Sequence, residues 1–421
     1  MRKIIMLALA CLSVTASFSA TTSFADFDRR ARDGERLNVV FFGASLTWGA
    51  NATDQATTTY RAQVGDMFEK AYPKAHFKFY DAAIGGTGSQ LGVFRLNRDV
   101  LQKKPDLVFL DFSANDDIYS DDSQRMSSYE SIMRRIILET KAPVVQMIFP
   151  FEWNVRSAKL EDMKRRTAHI ALSTAYHTAV GDTVAEIQEI VAKKETTIEK
   201  IWPFDGVHPG DYGYTLFANS AWQAYQKAVK DKLTCVAPDK MLYPDTYMHW
   251  NRMKISSLYA ADKLPQGWAV GHPTLTAAWY DGLMSRWLDD ETIATGVNNK
   301  VNADGTKAPG FFGPESLKVL IQGSVVMLFG EKTMASGNYR VYIDGKLMPV
   351  PGQREIRTEF TASSQVYGGN VQLIDMITDS LDPTVEHVLM IEPMLTPQNK
   401  ELRIESICVA GGPATVKPFQ Y

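Results

Sequence analysis

Four well-separated segments of the chain carry residue types that together could transfer an acyl group through a serine. Ser45 lies in Gly-Ala-Ser-Leu-Thr-Trp-Gly, directly after the apolar run 37–42. Far along the chain, Asp205 and His208 stand three residues apart in Asp-Gly-Val-His-Pro. A serine attacks a carbonyl well only when a base takes its proton, and an aspartate can hold a histidine in the tautomer that does so. These segments predict a nucleophile, its base and the group that orients the base.

The two intervening segments offer hydrogen-bond donors for the oxyanion of such a reaction. Gly86 lies in the glycine-rich segment 85–88, and Asn115 is followed by two aspartates. Glycine lets the backbone approach a substrate closely, and a side-chain amide donates an N–H without carrying charge. With the backbone N–H of Ser45, these groups make up the predicted oxyanion hole.

Each segment taken alone also has an ordinary structural explanation. Ser45 could cap a helix, and His208 could be a loop histidine beside a capping aspartate. The glycines could form a flexible turn, and Asn115 an Asx turn. The presence of all four segments in one chain is what favours catalysis. Trp48 and Trp153 are the candidate substrate-binding residues, with core or surface packing as the alternative for Trp153.

In their order along the chain, these residues resemble the four blocks of the SGNH (GDSL-type) hydrolases. Ser45, Gly86 and Asn115 match the first three blocks, and the pair Asp205 and His208 matches the last. The resemblance covers roughly residues 38–232. Two neighbouring positions depart from the family pattern, since Ala44 stands where Asp is usual and Ala114 where Gly is frequent. Neither departure removes a catalytic atom, but both leave the shape of the pocket and the substrate open.

The resemblance implies a three-layer α/β/α hydrolase, flavodoxin-like in its parallel sheet, that works through an acyl-enzyme on Ser45 and needs no metal or organic cofactor. The residue pattern agrees with that fold class. Apolar strand-like runs alternate with longer amphipathic stretches, which is typical of a parallel sheet with helices on both faces. The runs are 39–42, 77–80, 107–112 and 144–148, and the amphipathic stretches are 60–72, 90–103, 127–140, 158–175 and 212–232.

The second half of the chain has a different sequence pattern. Residues 36–233 form the predicted hydrolase domain, and 234–245, with two prolines and no periodicity, a linker. Short alternating runs then predict a mostly antiparallel β-sandwich over 246–421. Asp344-Gly345 between two such runs indicates a hairpin. The runs are 317–321, 324–329, 339–343, 387–391 and 402–410.

Composition and the amino terminus limit where the protein acts and what it binds. A formal net charge of -3 gives no strong attraction to nucleic acid or acidic membranes. A basic start and the apolar run 4–14 predict a bacterial-type signal peptide over 1–25, with cleavage after Ala25 or, as second choice, after Ala20. No other run is long and apolar enough to span a membrane. Cys235 and Cys408, which remain after cleavage, either form one disulfide or are two separate buried thiols.

These features predict a secreted or periplasmic serine esterase that removes short acyl groups, acetyl above all, from a carbohydrate. The carbohydrate part rests on export, on the attached β-sandwich and on similarity to SGNH carbohydrate esterases with that layout. Three alternatives stay open. They are a lipase or thioesterase, a sugar O-acyltransferase using the same site, and a carbohydrate-binding protein whose hydrolase half is inert. Oligomeric state is not predicted.

Overall fold

The amino-terminal domain is built on a five-stranded parallel sheet in the order β2-β1-β3-β4-β5. The computed structural model describes residues 22–156, 159–274, 290–301, 305–365 and 371–420. The strand order is that of flavodoxin-like folds, so the predicted α/β class is confirmed. The strands are β1 (Arg36–Gly43), β2 (His76–Ala83), β3 (Leu107–Leu110), β4 (Val144–Met147) and β5 (Ala179–Gly181).

Helices cover both faces of this sheet. On one face, α1, α3 and α10 meet through the aromatic rings of Phe27, Phe68 and Tyr225. On the other, α4 packs against α5. The described helices are α1 (Phe24–Arg32), α2 (Ser45–Trp48), α3 (Tyr60–Ala71), α4 (Ser89–Asp99), α5 (Ser123–Arg135, continued by a π-helical turn over Ile136–Thr140), α6 (Glu152–Arg156), α7 (Lys164–Tyr176), α8 (Thr183–Ala192), α9 (Ile198–Ile201), α10 (Asp211–Lys230) and α11 (Ile255–Leu258).

Helix α1 shows that residues before Arg36 belong to the folded domain. Ser23 caps it by accepting from the backbone N–H of Asp26, and Phe24 is fully buried. The backbone N–H of Phe24 donates to the carbonyl of Leu233 over 3.1 Å. Cleavage after Ala25, the first predicted position, would remove this buried core side chain, whereas cleavage after Ala20 would leave helix α1 intact. Residues 1–21 lie outside the described residues.

Besides a two-stranded sheet of β9 and β10, the described residues of the carboxyl-terminal half form two six-stranded antiparallel sheets, as predicted. One has the order β14-β13-β17-β11-β19 with β15 on β13, and the other β16-β12-β18-β8-β7 with β6 on β18. Asp344 and Gly345 both have positive φ and join β13 to β14. The strands are β6 (Trp250–Lys254), β7 (Trp268–Gly271), β8 (Glu291–Thr295), β9 (Val297–Val301), β10 (Lys307–Phe312), β11 (Leu317–Gln322), β12 (Val325–Lys332), β13 (Asn338–Ile343), β14 (Lys346–Leu347), β15 (Phe360–Thr361), β16 (Val371–Thr378), β17 (His387–Met394), β18 (Glu401–Ala410) and β19 (Thr415–Pro418).

The hydrophobic core of the hydrolase domain extends onto the sandwich, whose interior forms a separate core. Strand β12 is buried on both faces, because one face meets the second sandwich sheet and the other meets the hydrolase domain. Phe94 of α4 lies at the centre of the contact, with its ring 5.8 Å from that of Phe329 and 6.2 Å from that of Trp250. The sandwich is therefore docked on the hydrolase domain by apolar packing.

The segment 234–245 is hydrogen-bonded to α5. The buried carboxylate of Glu130 accepts from the backbone N–H groups of Leu242 and Tyr243 over 2.9 and 2.8 Å. Cys235 and Cys408 are separate free thiols, both buried. Across the part of the chain that the structure describes, no helix combines the length and hydropathy that a membrane crossing requires.

Candidate active site

The ends of three neighbouring strands, β2, β1 and β3, bring the predicted segments to one edge of the sheet. Gly43, the last residue of β1, pairs with Ala83, the last residue of β2. On the other side of β1, Phe42 pairs with Leu110 at the end of β3. Because the strands are parallel, the loops that carry Ser45, Gly86 and Asn115 all leave from the same edge, where ligands bind in open α/β sheets.

Ser45 is the first residue of the short helix α2. Its hydroxyl Oγ lies 3.0 Å from His208 Nε2, within hydrogen-bonding distance. The left-handed conformation of Gly49 (φ 96°) ends the helix after one turn, a conformation that favours glycine. Ser45 is 9% exposed, so most of the residue is covered by the surrounding protein.

Asp205 lies beside the other ring nitrogen of His208. Its Oδ2 is 3.5 Å from His208 Nδ1, and its Oδ1 accepts from the backbone N–H groups of Val207 and His208, each over 2.7 Å. Asn51 donates its side-chain amide to Oδ2 over 2.8 Å. The carboxylate is thus fixed by three N–H donors, and it faces the imidazole with a defined orientation.

These contacts set the protonation of both groups. Burial lowers the pKa of His208 below its ordinary value of 6.5, and the Asp205 charge only partly offsets that effect. Burial acts to raise the pKa of Asp205, but the hydrogen bonds from His208, Asn51 and Val207 outweigh it and hold that pKa below its usual range. At neutral pH the pair is therefore a neutral imidazole beside a carboxylate, which is the state a general base requires.

The glycine loop and the asparagine loop are joined to each other. Asp116, next to Asn115, accepts from the backbone N–H of Ser89 at the start of α4 over 2.9 Å. Gly88 has no room for a side chain, since a Cβ there would lie 2.5 Å from Asp116 Oδ1. Gly86 has φ +71°, a left-handed conformation. The predicted backbone donor of Gly86 and the side-chain donor of Asn115 therefore lie on two loops that are hydrogen-bonded to each other.

The two tryptophans that are candidate substrate-binding residues lie in different surroundings. Trp153 is 48% exposed and lines a cavity of about 160 Å³ together with Asn115, Tyr119 and Phe151. A Cβ on Gly206 would lie 3.5 Å from the Trp153 ring, so this side chain lies against the histidine loop. Trp48 is half-buried at the end of α2 and does not line this cavity.

Several residues of the site carry no local sequence signal. Besides Asn51, the buried side chain of Arg95 donates to the carbonyls of Ala82 and Gly43 over 2.6 and 2.7 Å. It thereby ties the ends of β1 and β2, from which the serine and glycine loops emerge. Phe204, next to Asp205, is 71% exposed. Among the described residues, no group of histidine, cysteine or acidic side chains has the arrangement of a metal site.

Comparison with known proteins agrees with this geometry. Residues 41–216 match the GDSL-like lipase/acylhydrolase family. The amino-terminal domain is a GDSL-like lipase/acylhydrolase domain. Since the match includes the segments of Ser45, Gly86, Asn115 and His208, the protein is a hydrolase of carboxylic esters.

Two kinds of relative are similar to the chain. It is 23% identical over 206 residues to an acetylxylan esterase of Geobacillus stearothermophilus, which covers 44% of this chain and 92% of that protein. Two crystal structures of a two-domain esterase (CEX) active on acetylated mannans, one with mannopentaose, match 93% of this chain and 95% of theirs. Their TM-score is 0.69 at 21% and 22% identity, which establishes a shared fold for the hydrolase domain and the sandwich together.

Proposed function

We propose that this GDSL-like hydrolase is a serine esterase that removes acetyl and other short acyl groups from a carbohydrate. The observation that carries the proposal is the 3.0 Å separation of Ser45 Oγ and His208 Nε2, with Asp205 on the far side of the imidazole. This is the arrangement by which a histidine base activates a serine.

The first half of the reaction forms an acyl-enzyme. His208 Nε2 takes the proton of Ser45 Oγ as that oxygen bonds to the ester carbonyl carbon. The backbone N–H groups of Ser45 and Gly86 and the side-chain amide of Asn115 donate to the resulting oxyanion. The bond to the sugar oxygen then breaks, and this oxygen takes the proton from His208 as the sugar leaves.

The second half releases the acid. His208, neutral again, takes a proton from a water molecule that attacks the acyl carbon. The same donors stabilise the second oxyanion, and its collapse returns the proton to Ser45 Oγ.

A carbohydrate substrate is supported by the surface beside the catalytic loop. Trp153, which lies against the histidine loop, and Phe204, which precedes Asp205 in it, are exposed rings, and Phe151 lies 4.8 Å from Trp153 between ring centroids. Asn115 and Tyr119 line the same cavity and bring polar groups to it. Aromatic faces with convergent polar groups suit a sugar, whereas a long acyl chain needs a continuous apolar channel. The names of the relatives, an acetylxylan esterase and an esterase active on acetylated mannans, point to the same substrate class.

The test is release of acetate from acetylated xylan and acetylated mannan. The wild-type protein is expected to release acetate, and Ser45→Ala to release none above background. Ser380→Ala, an exposed serine of the sandwich, is the matched control and is expected to keep full activity. Faster hydrolysis of octanoate than of acetate esters would favour a lipase instead. Retention of activity by Ser45→Ala would overturn the proposal.

We also propose that the protein is exported to the periplasm or secreted. The basic start and the apolar run 4–14 support this, and the burial of Phe24 moves the cleavage site to the second predicted position, after Ala20. Amino-terminal sequencing of the mature protein should find Thr21 as its first residue. An intact amino terminus in protein recovered from the cytoplasm would contradict export.

A further inference from the structure

A side chain of the sandwich reaches the glycine loop of the hydrolase domain. Gln372, the second residue of β16, donates its side-chain amide Nε2 to the carbonyl of Gly85 over 2.5 Å, across 287 residues of sequence. Its Oε1 is buried and has no hydrogen-bond partner among the described residues. Only the NH₂ end of an amide can donate to a carbonyl, so this contact fixes the orientation of the Gln372 amide.

The carbonyl that Gln372 holds belongs to the same peptide unit as the Gly86 N–H. In a planar trans peptide the C=O and the N–H point in opposite directions. Gly85 is buried against the sandwich and Gly86 is exposed, so the N–H of Gly86 points to the open side of the loop. The glycine loop leaves β2 after Ala83, which pairs with Gly43 at the end of β1, two residues before Ser45.

Without such a contact, this peptide unit could turn over at little cost. Gly86 has φ +71°, and glycine adopts the opposite sign of φ about as readily. The rest of the loop is fixed from within the hydrolase domain. Thr87 Oγ1 donates to the carbonyl of Ile84 over 2.7 Å, and Ser89 is held by Asp116. The contact with Gln372 therefore determines the orientation of the peptide plane between Gly85 and Gly86.

We propose that Gln372 is a positioning residue that directs the Gly86 N–H toward the oxyanion, so that the sandwich domain takes part in catalysis. The inference rests on the proposed function, in which Gly86 is an oxyanion donor. If the peptide turned over, a carbonyl oxygen would replace the donor and repel the developing negative charge.

The substitution that removes the contact is Gln372→Met, which keeps the length of the side chain and cannot donate. The expected result is a fall in kcat of about 10- to 100-fold, approaching the loss of one oxyanion donor, with KM changed less than about twofold. The effect falls on kcat because the negative charge develops only in the transition state. Gln372→Glu, whose carboxylate also cannot donate, should behave alike and serves if Gln372→Met folds poorly.

The matched control is Gln322→Met, the same substitution at another half-buried glutamine of the sandwich. Gln322 donates its amide to the carbonyl of Pro383 within the sandwich and does not contact the glycine loop. This variant should keep the wild-type kcat. An equal loss of kcat in Gln322→Met would mean that any disturbance of the sandwich lowers activity, and it would overturn the assignment to Gln372.

A second readout separates positioning from simple loss of folded protein. Each variant is assayed with an acetate ester and with its thionoacetate analogue, whose sulfur is a weak hydrogen-bond acceptor. Gln372→Met should lower the ratio of ester to thionoester turnover by about tenfold, because only the oxygen substrate gains fully from the donors. A smaller folded fraction would lower both rates equally, and an unchanged ratio overturns the inference.

Failure of this inference is distinguishable from failure of the proposed function. If Ser45→Ala is inactive and Gln372→Met has the wild-type kcat, the esterase stands and the role of Gln372 is wrong. If Ser45→Ala keeps its activity, the proposed function fails, and the inference about Gln372 fails with it.

Discussion

Asn51 donates its side-chain amide to Oδ2 of Asp205 over 2.8 Å, the same oxygen that faces the catalytic imidazole. Asn51 also has φ 68°, a left-handed conformation that asparagine tolerates better than most residues. The turn after α2 therefore places the Asn51 amide beside the loop that carries Asp205 and His208. Nearby, Tyr214 Oη donates to the carbonyl of Ala50 over 2.6 Å, which holds the same two segments together.

Replacing Asn51 should change catalysis in two distinguishable ways. Asn51→Gly keeps the backbone conformation and loses the amide, and it should lower kcat by about tenfold because Asp205 is less well fixed. Asn51→Asp loses the same amide and adds a negative charge near His208, which should move the acid limb of the activity profile to higher pH. Profiles of kcat/KM against pH for both variants check this. If activity fell over the same pH range in Asn51→Gly and Asn51→Asp, the predicted effect of the added charge would be contradicted.

Activity of the wild-type protein should fall on the acid side, with a midpoint below pH 6.5. Neutral His208 is the base, so kcat/KM is highest above its pKa and is lost as the pH falls through it. Burial lowers the pKa of His208, which places the midpoint below the ordinary value of 6.5.

Asp205→Asn should shift that midpoint further down, because the Asp205 charge raises the pKa of His208. It should also reduce kcat by about 10²- to 10⁴-fold, since an amide no longer selects the correct tautomer. The measurement is again kcat/KM against pH. An acid limb that moves upward in Asp205→Asn would show that another group titrates.

Docking of the two domains should depend on Phe94. Phe94→Ala removes a buried ring that contacts Tyr247, Trp250 and Phe329, and it should lower the free energy of unfolding by about 3–5 kcal/mol. Leu138→Ala, a 42% exposed side chain at the end of α5, is the control and should change it by less than about 0.5 kcal/mol. Thermal and denaturant unfolding measure both. Similar stabilities for the two variants would contradict the described interface.

The parts that sequence could predict are those with a local pattern. The buried runs that became β1, β3 and β4 are mainly apolar, and the segments of Ser45 and His208 each fall within a few residues. Strand β5 was not predicted, since three residues are too short to show a period. The leader boundary stays a prediction. Residues 23–25 resemble a cleavage site, and the sequence gives no sign that the backbone N–H of Phe24 donates to the carbonyl of Leu233 within the fold.

The supporting residues were beyond sequence reasoning for a physical reason. Arg95 looks like a polar position on an amphipathic helix, and only the assembled sheet shows that its guanidinium binds two strand ends. Gln372 and Gly85, which form a hydrogen bond between the two domains, are 287 residues apart in the sequence. No pattern of residue spacing relates positions that far apart. Residue types and short spacings predict the reacting groups, while the groups that position them depend on tertiary packing.

Covalent labelling of the nucleophile tests the central claim most directly. The protein is treated with diethyl p-nitrophenyl phosphate, in which a serine oxygen bonds to phosphorus and p-nitrophenolate leaves, and the peptides are then analysed by mass spectrometry. The diethylphosphoryl group should appear on Ser45 in step with the loss of esterase activity, while Ser45→Ala should remain unlabelled. Loss of activity with the label on another residue, or full activity with Ser45 labelled, would contradict the account.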